Sequence, residues 1–171
     1  MPSNSEMPRY VLRNCNIFVD RVSKIGQASE ITLPVPAEKV EEMRNAGMVM
    51  PIDIPMGYEK LETSFKLTAF DPQVITLFGL AIGVEKEFMI TGSLAHEDGT
   101  VINATAYIRG RLIKSDHGSW KAGEVGENDF QITMRYYRLE VEGSTLIEAD
   151  PFNVSIGGAS QTDAIRAALL V

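Results

Sequence analysis

His96, Glu97 and Asp98 are the densest group of metal-ligating side chains in this sequence, and His117 is the only other histidine. A metal site would need those donors to converge, but three consecutive residues in a tight turn point in different directions. Both histidines are read as solvated turn residues, and no metal or other cofactor is expected. Covalent chemistry lacks its parts too. There is no G-x-S-x-G elbow, phosphate loop or dinucleotide fingerprint, and "GEVG" and "GGAS" lie outside any strand-to-helix context. The single cysteine, Cys15, excludes an internal disulfide framework and reads as a small buried hydrophobe in a reducing cytosol. Arg109 and Arg111 share a strand face, which suits either an ion-pair site for an acidic neighbour or a solvated face. An enzyme would have to be assembled from scattered carboxylates, so the chain is not read as one.

The 171 residues fit one domain, and their net charge of −7 argues against a protein that grips nucleic acid, since phosphate binding needs clustered Lys and Arg. The longest apolar run, "LFGLAIGV" (Leu77–Val84), falls well short of the roughly 18 residues of a membrane span. The opening "MPSNSEMPRY" has no apolar stretch after a basic start, so residues 1–13 are expected to form an arm rather than a secretory signal.

Apolar residues recur mostly with period two, which predicts a mainly β chain of about seven strands. Strands are expected over Asn14–Asp20, over Ser29–Met43 as one long element, and over Tyr58–Phe70, where Leu61, Phe65 and Leu67 oppose Lys60, Glu62, Ser64, Lys66 and Thr68. Pro34 and Pro36 place the long element at an edge or make its first half pair irregularly. Asp71-Pro72 opens a short helix that Gly79 closes, and Asp98-Gly99 joins strands Glu87–Ala95 and Thr100–Lys114 in a hairpin. Ser160 and Asp163 have capping-box spacing for a terminal helix over Ala159–Val171. The stretch Arg44–Gly57 shows no clear period, yet for a loop it is unusually apolar.

The strand within Trp120–Gly143 carries an anomaly. Phe130, Ile132, Met134 and Tyr136 are apolar on one phase, and Tyr137, Leu139 and Val141 on the other. A phase switch at Tyr136-Tyr137 requires either a β-bulge or a strand that hands its apolar face from one layer to another.

Taken in order, "NIFVD", "TLP", "RNAGMVMPIDIPMGYEKLE", "IRGR", "GSWKAGE", "YYRLEVEG" and "EADPFN" resemble the major tail tube proteins of contractile-tailed bacteriophages and R-type phage-tail-like bacteriocins. These segments run from Asn16 to Asn153. Arg21 departs from the pattern, standing where such proteins often have a turn glycine. The resemblance implies two packed antiparallel β-sheets, a sandwich or barrel, with a short flanking helix and a C-terminal helix. It also implies homohexameric rings stacked into a tube in the virion tail, made in the bacterial host cytoplasm. The tail sheath, baseplate or tube initiator, tape-measure protein and tail terminator would be its partners. DNA would pass without specific binding.

On that footing residues 44–57 are an assembly loop. Arg44, Gly47, Met48, Val49, Met50, Pro51, Ile52, Ile54 and Met56 are its interface candidates, and Gly47 and Gly57 its hinges. Tyr136 and Tyr137 are expected to face different interiors, one of them a subunit interface. Glu62, Ser64, Thr68, Thr91, Ser93, Asn103 and Thr105 are the lumen-facing candidates. Two alternatives accompany this reading: a monomeric β-barrel or sandwich binding a small apolar ligand, and the related tube protein of type VI secretion.

Overall fold

The computed structural model describes residues 10–171; residues 1–9 of the expected arm lie outside them, and positions 11–13 already belong to a strand. That strand, β1 (Val11–Val19), turns through Asp20 and Arg21 into the short β2 (Val22–Ser23). Both turn residues have positive φ, 48° and 69°. Tight hairpin turns of this hand favour Asn or Gly, so Arg21 is held where an L side chain is disfavoured. Its ion pair with Glu87, 3.3 Å long and exposed at both ends, offsets little of that. We expect Arg21→Gly to stabilise the subunit by about 1 kcal/mol, read as a raised midpoint in thermal or urea unfolding.

One ten-stranded antiparallel sheet contains β3 (Ala28–Thr32), β6 (Glu62–Leu67), β7 (Lys86–Ala95), β8 (Val101–Asp116), β9 (Asn128–Val141), β10 (Ser144–Ala149), β11 (Val154–Ile156) and β12 (Ala159–Ser160), besides β1 and β2. Its order is β12-β11-β10-β9-β8-β7-β1-β2, with β3-β6 branching from β9. The branch arises because β9 is long. Residues Asn128–Thr133 pair with β6, and Tyr137–Val141 pair with β10.

Ile17, Val19, Phe88 and Ile90 of β1 and β7 share one core with Phe65, Leu67, Phe130 and Ile132 of β6 and β9. The β3-β6-β9 part therefore lies over the β1-β7-β8 part, giving the two packed layers that the resemblance implied. Between them, α1 (Pro72–Ile75) contributes the fully buried Val74. Asp71 caps this helix as expected, its carboxylate accepting from the Gln73 N–H at 2.9 Å. The same carboxylate takes a 2.5 Å bond from the buried Lys24 Nζ, which also reaches Gln73 Oε1 at 3.2 Å.

The phase switch in β9 resolves as a bulge one residue before the tyrosine doublet. Arg109 pairs with Tyr136 and Gly110 with Met134, which leaves Arg135 as the extra residue. After it the phase is reset, so Phe130, Ile132, Met134 and Tyr137 all point into one core. One apolar interior thus accounts for the pattern within the subunit. Gly110 sits opposite the bulge, where an added Cβ would lie 2.1 Å from the Thr133 carbonyl oxygen and 2.8 Å from Met134 Cα. Gly110→Ala should therefore cost about 1–3 kcal/mol through forced backbone shifts, measurable by denaturant titration.

Several expectations are corrected. The long element Ser29–Met43 is two strands, because Pro34 and Pro36 lie in the connection after Thr32 rather than in a sheet edge. Its second part, β4 (Glu38–Met43), leaves the main sheet to pair with β5 (Ile52–Tyr58) alone. Cys15 is exposed, since β1 emerges from under the core before residue 17. Among the described residues, twelve strand segments replace the expected seven or so, the additional ones being short or split. The terminal helix is only α2 (Asp163–Ala168), and Ser160 does not cap it; its hydroxyl donates to Asn153 Oδ1 at 2.8 Å instead. His117 is half-buried rather than solvated, with Nδ1 3.2 Å from Asn128 Oδ1 and its ring against Phe70 and Phe130.

Candidate functional site

The β4–β5 hairpin forms a two-stranded sheet of its own and contributes no residue to the core. In register, Met43 faces Ile52 and Glu41 faces Ile54, while Glu42 faces Asp53 on the other side. Ile52, Ile54 and Met56 thus line one face together with Met43 and Glu41, and two carboxylates stand opposite each other on the reverse. The expected loop is therefore half strand. "IDIPM" does alternate, a period hidden by Pro51 and Pro55.

Within the tip, the Met48 N–H donates to the Asn45 carbonyl at 3.1 Å, and Arg44 Nε donates to the Met48 carbonyl at 3.4 Å. Val49 and Met50 are 94% and 70% exposed. Gly47 lies in this tip turn with φ 88°, whereas Gly57 lies inside β5 with φ 117°, so the two do not bracket a loop as hinges would. Glu38, Glu41, Glu42 and Asp53 have no ion-pair partner among the described residues.

At the hairpin root a groove opens between Tyr58–Leu61 and the β10–β11 connection, lined by Tyr58, Leu61, Met134, Ile147, Phe152 and Ile156. The bulged Arg135 stands at this groove. Its Nε is 3.3 Å from Glu85, which also receives Arg109 Nε at 3.5 Å. Two guanidiniums share the Glu85 carboxylate at the side of this trough, whose lining is otherwise apolar apart from Glu59, Lys60, Asp150, Asn153 and Thr162. Arg135 and Glu41 carried no signal in the sequence, since only the bulge and the hairpin register show where their side chains stand.

Tyr136 and Tyr137 do lie on opposite faces. Tyr137 is in the core, where burial pushes its phenol pKa up. Tyr136 is on the outer face, its hydroxyl donating to Glu148 Oε1 at 2.8 Å and its ring under Arg109. Burial and the Glu148 carboxylate together raise its pKa. Arg109 and Arg111 differ in role, since Arg111 Nη2 donates to the Leu80 carbonyl at 2.8 Å.

The lumen candidates fall into two groups. Thr91, Ser93, Asn103 and Thr105 share the outer face of β7 and β8 with Asn14 and Asn16 of β1. Thr105 is buried among its neighbours. Glu62 and Ser64 lie on the outer face of β6 with Lys66, and across the paired β9 stand Lys114 and Arg111 of β8. Thr68 follows β6 and is tied to the Gln27 carbonyl by its N–H at 2.9 Å.

β1 pairs with β2 only at Phe18 and Val19, so from Val11 to Ile17 its outer edge has no strand partner among the described residues. Val11 and Leu12 on that edge are half exposed. An open, partly apolar edge is a surface for pairing with another chain.

The family model described as phage tail tube protein FII matches residues 9–169. The tail tube protein of Escherichia phage P2 is 32% identical over 152 residues, covering 86% of this chain and 88% of that protein. The major tail tube protein of Serratia phage KSP20 is 27% identical over 144 residues, covering 83% of each. Among solved structures, the fold is similar to a chain of the PVC sheath-tube complex of an extracellular contractile injection system, with TM-score 0.55 at 14% identity over 81% of this chain and 93% of that one. A chain of the PVC sheath/tube terminator gives TM-score 0.56 at 14% identity over 80% and 99%. With a family model spanning nearly the whole chain, and a relative matched over most of both lengths, the protein belongs to the phage tail tube FII family, as a structural subunit of the virion tail rather than an enzyme.

Proposed function

We propose that this subunit closes into homohexameric rings that stack into a hollow tube, the conduit for DNA in a phage or a membrane-puncturing tube in a tailocin. The unpaired β1 edge carries this reading, because ring closure gives each exposed edge a partner and removes it from water. The 44–57 segment with its flanking strands, including Arg44, Met48, Val49, Met50, Pro51, Ile52, Ile54 and Met56, reaches a neighbouring subunit. Tyr136 lies toward a subunit boundary and Tyr137 in the subunit's own core.

We assign the lumen to the β7–β8 patch of Thr91, Ser93 and Asn103. Its short uncharged side chains, flanked by Glu140 of β9 and by Glu142 in the turn after it, offer phosphates no foothold. Glu62 and Ser64 share their face with cations and suit it less. The sheath, a baseplate initiator, a tape-measure protein and a terminator are the further partners, in keeping with the sheath-tube and terminator assemblies in which the solved neighbours occur.

Negative-stain microscopy of purified, chelator-treated protein tests this reading. Rings or tubes are expected without added metal or nucleotide, and monomers alone at high concentration would overturn it.

A further inference from the structure

The hairpin face and the groove at the hairpin root are both largely apolar, and the groove, which also carries Glu59, Lys60 and Asp150, offers one guanidinium, Arg135, to the one carboxylate of the face, Glu41. The face presents Ile52, Ile54 and Met56 with the unpaired Glu41 among them, and two of these apolar side chains, Ile52 and Met56, are about half exposed. The groove presents Tyr58, Leu61, Met134 and Phe152, with Arg135 beside them sharing its one carboxylate with Arg109. Phe152 is 81% exposed, an aromatic ring left in water at the groove wall. The bulge adds a structural reason: it resets the core phase, and in doing so projects one extra side chain outward at the trough, which is how bulges re-aim residues. That side chain is a guanidinium, the best partner for a carboxylate at an interface.

We infer that the hairpin of one subunit docks in the root groove of a second copy, its apolar face against Tyr58, Leu61, Met134 and Phe152 and Glu41 paired with Arg135. This rests on the tube reading and names the receptor of its hairpin. A carboxylate with no partner and a guanidinium with half of one then satisfy each other where water is excluded.

A charge swap tests it. Glu41→Arg and Arg135→Glu should each raise the protein concentration needed for polymerisation, measured by sedimentation, by at least about tenfold, while circular dichroism and melting show a folded subunit. The double variant Glu41→Arg/Arg135→Glu should bring the threshold back toward that of the unmodified protein. Phe152→Ser should weaken polymerisation without altering the fold. Single variants that polymerise normally, or a double variant no better than the singles, would overturn the docking and leave the tube reading intact. An unmodified protein that stays monomeric would remove both.

Discussion

Subunits in which Met48–Met56 is replaced by a short Gly/Ser linker are expected to remain soluble and folded but to make no long tubes. The replaced residues belong to a hairpin that shares no core position with the ten-stranded sheet, so native-like β circular dichroism should survive. The root is held independently, by the Glu59 N–H donating to the Ala37 carbonyl at 2.8 Å. What is lost is apolar surface with no cover in the monomer. Val49, Met50, Ile52 and Met56 are each exposed, and covering a large apolar side chain is worth up to about 1.5–3 kcal/mol. Methionine's flexible thioether chain suits a surface that must fit a partner. Several such side chains per contact, repeated along a stack, decide between short and long assemblies. An unfolded variant would show that the segment folds back on its own subunit, and tubes of normal length would exclude it from assembly.

Asp71→Asn is the second large effect, expected to cost about 3–5 kcal/mol, because it leaves the Lys24 ammonium buried without a counter-charge. Asparagine is itself a good helix cap, so the loss isolates the charge rather than the cap of α1. Burial pushes the Asp71 carboxyl pKa up, but the Lys24 bond and the backbone N–H groups outweigh it and hold it below its ordinary value. A carboxyl depressed in the folded state contributes stability in full above its unfolded pKa. That contribution falls away as pH drops below about 4 and through the folded value. Urea midpoints recorded from pH 7 down to pH 3 should fall for the native protein, and less steeply for Asp71→Asn. A double replacement that keeps a capping side chain, Lys24→Met with Asp71→Asn, should recover most of the loss, since a buried pair is costly chiefly when broken. If Asp71→Asn unfolds at the native midpoint, the pair is not the anchor of α1.

Where the structure depends on neighbours in the chain, the sequence predicted it well. Asp71-Pro72 placed α1, Asp98-Gly99 placed the β7–β8 hairpin, and strict alternation through Phe65 and Leu67 placed β6. Where it depends on register, the sequence was silent or misleading. Pro34 and Pro36 pointed to an edge strand or to irregular pairing of one long strand, and the choice of partner strands instead breaks it in two. The tyrosine doublet was compatible with a bulge or with a strand serving two interiors, and the pairing with β8 decided for the bulge. Arg135 became the extra residue because Gly110, opposite, allows two backbones to approach. The candidate site divides the same way. Apolar character singled out residues 44–57, whereas Glu41, Arg135 and the β1 edge acquire meaning only once strands are paired.

The hairpin projects from one part of the subunit, and nothing on the described surface repeats it elsewhere. A contact in which the hairpin enters the groove of one copy while its own groove receives the hairpin of another is heterologous, and copies joined in this way all point in the same direction. A polymer of such copies has polarity: one terminus presents free hairpins, and the other presents surfaces that have received none. The two termini are chemically different surfaces, so no single capping protein fits both. On the docking proposed above, the place where growth begins and the place where it stops would call for two different partners, with no further device to set direction.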